Sequence, residues 1–253
     1  MKNLGRFAGL LYVLTSIVGF FAMGYVPRKV IVHGNAAATA SNILAHETLF
    51  RFGIAGEIIG QAGFIFVALA LYDLLKGVSR RHGSLMVMLI VVSVPIAFVN
   101  ELNSVAALVL VRGADFLSVL DKTQREALAM LFVKLHGQGF VVAEMFWGLW
   151  LFPLGLLVYR SRFLPRFLGV WLGLAGVAWV ILSLTGILLP EYQDKVDTYS
   201  QPAMIGEIVF MLWLLFMGGN PPDVDTAETS GAAAQLHAGA NYLRYFRPAE
   251  HSD

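Results

Sequence analysis

The sequence predicts an all-α fold, a polytopic transmembrane helical bundle of about six spans with both termini cytoplasmic. Three observations predict it. Of 253 residues, 57% are hydrophobic and 14% are charged, with mean hydropathy +0.69, whereas soluble domains average about 25% charged residues. Several apolar runs reach the roughly 20 residues that cross a hydrocarbon core about 30 Å thick. Basic residues gather in alternate loops, the asymmetry that orients short-looped membrane proteins.

The spans fall at about Phe7–Val26, Phe50–Leu75, Leu85–Val111, Gly137–Tyr159, Leu164–Leu189 and Met204–Met217, the last short enough to begin nearer Tyr199. Lys2 and Arg6 precede the first; Lys76, Arg80 and Arg81 join the second and third; Arg160, Arg162 and Arg166 join the fourth and fifth. The opposite loops are mixed or acidic, as in Glu191, Asp194, Lys195 and Asp197, with Arg28-Lys29 the exception. The expected location is the cell inner membrane, with the lipid bilayer as partner. The first apolar run also invites reading as a signal peptide. It exceeds an h-region of 7–15 residues and Ala22-Met23-Gly24 is a poor cleavage site, so an uncleaved span is expected.

Outer segments are the longer ones. Asn35–Leu49 begins with small polar residues and turns helical; Asp121 or Thr123 starts a helix leading into span four; Pro202 suits the first turn of span six. Residues 1–219 form the bundle, and residues 220–253, opening Asn-Pro-Pro-Asp and rich in Ala, Gly and Thr, read as a largely disordered cytoplasmic tail.

A net charge of +1 offers nucleic acid no footprint. With no cysteine, disulfides, thiolate nucleophiles and Cys-ligated metals are excluded. No Gly-x-Ser-x-Gly, His-Glu-x-x-His, phosphate loop or dinucleotide fingerprint is present.

Chemistry is expected where polar groups interrupt the spans. Glu57, Glu101, Glu144 and Glu207 stand in four different apolar runs. A charge at mid-bilayer costs about 3 kcal/mol or more, so each acid is expected to face protein, water or an ion. Counted at 1.5 Å per residue, all four lie roughly 8–15 Å below the outer surface. They are therefore expected to meet in one pocket, with Gln61 one helical turn from Glu57, and Asn100 and Asn103 beside Glu101. His136 sits near the mouth, a little over two turns above Glu144. The metal-ligating set, on this reading, is His136, Glu101 and Glu144, and the cofactor it allows is a divalent metal. For any one acid the plainer alternative is a protonated side chain bonded to a neighbouring helix. Gly53, Gly56, Gly60 and Gly63, and again Gly169, Gly173 and Gly176, read as packing faces. The five tryptophans read as mostly lipid-facing or interfacial.

Two stretches carry a resemblance. One is Gly5–Leu14 (GRFAGLLYVL) with Tyr25-Val26-Pro27, Ala37–Ile43 (AATASNI) and Leu49-Phe50-Arg51. The other is Gly148–Gly176, with Val158-Tyr159-Arg160-Ser161 and Leu164-Pro165-Arg166-x-Leu168-Gly169-Val170. Together they resemble the bacterial and archaeal membrane family called domain of unknown function 4386. The resemblance implies a multispan architecture over nearly the whole chain apart from the tail. It supplies no activity and no site residues.

The leading functional expectation is a membrane protein with a carboxylate-lined polar cavity near the outer leaflet, binding or transporting a cation, proton or small solute. A membrane-embedded, metal-dependent enzyme using the Glu/His cluster is the second reading. A scaffold without chemistry is the third.

Overall fold

The computed structural model describes residues 3–219, and the expected tail over 220–253 lies outside the described residues. Apolar runs in a bilayer must satisfy every backbone polar group internally, and here they do so as helices. The first span is α1 (Leu4–Gly19), a π-helical turn at Phe20–Tyr25 and α2 (Val26–Val30). A short α3 (Ala36–Ala45) leads to α4 (Glu47–Leu75) and α5 (Arg80–Arg112). Then come α6 (Lys122–Leu149), α7 (Leu151–Arg160), α8 (Arg166–Leu188) and α9 (Gln193–Phe216). Six of the resulting helical stretches are long and apolar enough to cross a membrane, as the sequence predicts. Large apolar side chains, among them Phe20, Phe52, Phe66, Val99 and Leu102, cover the outside.

The helix ends follow from local chemistry. Asn35 accepts a bond from the Ala38 amide, and Asp121 and Gln124 form a reciprocal capping box that starts α6. Gly113 ends α5 with φ +69°, a left-handed cap that a β-carbon would disfavour.

Three local expectations are corrected. Pro202 lies inside α9 rather than in a first turn, because the helix already begins at Gln193. It leaves the Thr198 carbonyl without its usual helical donor, a loss that transmembrane helices tolerate. Separately, the indole of Trp171 donates to the Pro202 carbonyl at 3.1 Å and ties α8 to α9. The fourth span runs on from Lys122 to Arg160 and so begins well before Gly137, with one turn residue, Trp150, between α6 and α7. Pro153 has no N–H for the Leu149 carbonyl, which fits the single turn residue just before α7. The tryptophans do not face lipid as a class. Trp150 is only 1% exposed and packs its ring against Tyr12 and Phe64.

Glycines set the closest crossings. A β-carbon on Gly148 or Gly155 would collide with the carbonyls of Gly176 and Gly169 respectively, so the α6–α7 span and α8 touch backbone to backbone. Along α4, Gly53, Gly56 and Gly63 face Val26, Ala22 and Thr15 of the first span. The main apolar core gathers Leu71, Met86, Ile90, Leu154, Leu168 and Phe210 towards one end of the bundle. Smaller clusters around Ile43, Val30, Ala107 and Ala129 close the other end. Between these apolar layers lie the buried polar groups.

Candidate functional site

Three neighbouring helices, α4, α5 and α6, each send one titratable side chain into that intermediate layer. His136 Nε2 lies 2.8 Å from Glu101 Oε1 and 3.3 Å from Glu57 Oε2. One donor atom from each residue lies within 4.8 Å of the other two. Glu57 and Glu101 are buried and His136 nearly so. Apolar surroundings at this depth make each interaction stronger and each unmade one more costly than in water.

The scaffold behind the cluster is specific. Pro95 sits inside α5 one and a half turns before Glu101. Asn100 Nδ2 donates to the His136 backbone carbonyl at 3.0 Å, and Asn103 Nδ2 donates to Asn100 Oδ1 and to the Asn100 carbonyl at 3.1 Å. Asn100 can reach α6 because Gly139 has no side chain there; a β-carbon would overlap the Asn100 amide. The Phe140 ring stands edge-on to the imidazole, 4.7 Å between centroids. At the rim, Glu47 pairs with Arg51 and Arg112 and ties α4 to the end of α5.

Glu101 Oε2 is buried without a hydrogen-bond partner among the described residues. A buried acceptor left bare is costly, by about 1–3 kcal/mol.

The expected four-carboxylate pocket is divided, since position along a helix and direction around it both decide which acids meet. Glu57, Glu101 and His136 converge. Glu207 lies apart, its Oε2 accepting from the Tyr12 hydroxyl and its Oε1 from the Trp179 indole, each at 2.7 Å. Glu144, expected with His136 and Glu101 in a metal set, is not in the converging group; it is eight residues, about 12 Å, along α6 from His136, and its Oε2 is buried and unpartnered. Glu57 takes the place expected of Glu144. Gln61 lines a larger cavity together with Glu57 and Glu207. Sequence reasoning missed Gly139, Tyr12 and Trp179. Only Gly139 left a trace, as the second glycine of His-Gly-Gln-Gly inside a helix.

Comparison with known proteins adds ancestry. Residues 7–218 match the family described as Domain of unknown function (DUF4386). The chain belongs to the DUF4386 family. An uncharacterized protein of Archaeoglobus fulgidus is 29% identical to this DUF4386 chain over 154 residues, covering 61% of this chain and 76% of the relative. No solved structure matches.

Proposed function

We propose that this DUF4386 protein is a multi-pass inner-membrane protein that binds a cation at Glu57, Glu101 and His136, to carry it or to exchange it against protons or a small solute. The carrying observation is the convergence of three donor atoms from three helices with the bare acceptor Glu101 Oε2 beside them. One imidazole nitrogen and two carboxylates would balance a doubly charged ion. Nitrogen and oxygen donors suit zinc, manganese, iron or cobalt better than copper(I) or a thiophilic ion. Three protein donors leave a coordination position for water or solute.

The basic loops support cytoplasmic termini, which would put the cluster in the outer half of the bilayer. A metal-dependent enzyme remains the second reading, since Glu57 also faces the larger cavity and an open coordination position could activate water.

Equilibrium dialysis of the purified protein against zinc and manganese tests the proposal. Wild type should bind stoichiometrically, and Glu101→Gln and His136→Ala should each bind at least about tenfold more weakly. Wild type holding no more metal than the double variant would overturn it.

A further inference from the structure

A cavity of about 620 Å³ has the size of a small-molecule site. It opens where the first span and α9 part. At one end these helices touch: β-carbons on Gly5 and Gly9 would strike the backbone of Gly219 and Leu215. Ser16 Oγ still reaches Met211 Sδ at 3.5 Å. Beyond that level nothing stands within 4 Å of a β-carbon built on Gly19, and the helix loosens into its π turn. Ile17, Phe20, Ile205 and Ile208 flank the gap and are 60%, 68%, 45% and 49% exposed. Apolar residues exposed on the side of a spanning bundle face lipid, so the gap opens sideways into the bilayer.

The walls are aromatic. Tyr12, Phe64 and Trp150 interlock edge to face, and Trp147 meets Trp179 in the same way, with centroids 5.4 Å apart. Two acids, Glu57 and Glu207, line the cavity, and no Lys, Arg or His does so among the described residues. Glu207 is oriented by two uncharged donors, Tyr12 and Trp179, and by no cation. Glu57 is 7% exposed and reaches the cavity from the metal cluster, where its Oε2 lies 3.3 Å from His136 Nε2. The chamber thus combines ring faces with one acid, Glu207, that has no cationic partner among the described residues, whereas Glu57 is held by His136 at 3.3 Å. An acid and ring faces are the two features that attract an organic cation.

We propose that this cavity binds a lipophilic organic cation, an aryl- or alkyl-substituted ammonium or phosphonium, that enters from the bilayer and takes Glu207 as its counter-ion. A neutral lipid would gain only from the apolar walls; the acids favour a cation. The site is separate from the metal cluster and shares with it only Glu57, so loading one is expected to weaken the other.

Tetraphenylphosphonium is the probe, read by quenching of the cavity tryptophans in purified wild-type protein, with triphenylphosphine oxide as the neutral control. The cation should bind saturably and at least tenfold more tightly than the neutral compound. Glu207→Gln should lower cation affinity at least tenfold, with neutral binding unchanged. Glu101→Gln, which removes a metal donor, should leave cation affinity within twofold, so failure of the metal proposal stays distinguishable. If Glu207→Gln does not fold, Gln61→Glu serves instead and should tighten cation binding by at least threefold. No saturable binding, equal affinity for both probes, or insensitivity to whichever cavity variant folds would overturn the proposal.

Discussion

The side-chain amide of Asn100 occupies the space that a β-carbon on Gly139 would fill, and from there it holds the backbone of His136. A glycine in one helix and an amide in the next thereby set the height of the imidazole against Glu101.

Gly139→Ala should evict that amide. Overfilling a packed contact costs about 1–3 kcal/mol, seen as a lowered Tm in detergent. Because His136 is then held less firmly, metal affinity should fall about tenfold. An alanine variant with wild-type Tm and binding would show that the contact is incidental.

Removing the imidazole should hurt more than neutralising one acid. His136→Leu leaves Glu57 and Glu101 buried without their shared partner, a loss of the order of 3–5 kcal/mol. Glu101→Gln removes the charge but keeps a polar group, so about 1–2 kcal/mol is expected. Denaturation in mixed micelles ranks the two.

Tyr12→Phe deletes one of the two donors to Glu207. The buried acid loses a bond worth about 1–3 kcal/mol. The ring packing with Phe64 and Trp150 should survive, so near-ultraviolet circular dichroism should change little while Tm falls.

At the rim the opposite result is expected. Glu47→Ala breaks two pairs whose arginine side chains are half exposed. Such pairs contribute under about 1 kcal/mol, and less in high salt. A Tm drop as large as that of His136→Leu would make the rim, rather than the cluster, the clamp between α4 and α5.

The glycine crossing gives the sharpest structural test. Gly155→Leu should prevent α7 from meeting α8 at Gly169, and the protein should lose its monodisperse elution. Gly173→Leu, at a position with nothing within 4 Å, should be tolerated.

Hydropathy and loop charge made the spans legible because they are properties of one segment at a time. Depth was legible too: counting along each helix put Glu57, Glu101 and His136 in the same half of the bundle. Which of them face each other was not, because each residue turns the side chain about 100° and a small error in a helix's start rotates every group on it. Glu144 illustrates a second limit: counted from the helix end it shares a depth range with Glu57 and Glu101, but it lies eight residues, about 12 Å, along α6 from the His136 that joins them. Trp179 was read with the other tryptophans as lipid-facing or interfacial, and Tyr12 drew no reading, because nothing local marks an indole or phenol that will meet an acid on a distant span. Trp150 was misread for a related reason. Its burial depends on Tyr12 and Phe64, which come from other spans.

The bond between Tyr12 and Glu207 joins positions 195 apart in the chain. During synthesis the first span enters the bilayer long before α9 exists, and Glu207 must cross the interface as the final helix is delivered. The cavity wall is therefore finished only when the first span meets α9, where the Gly5 amide donates to the Gly219 carbonyl at 3.0 Å. A chain halted before Gln193 would lack Glu207 and the whole α9 wall, so the cavity would be an open furrow along the first span.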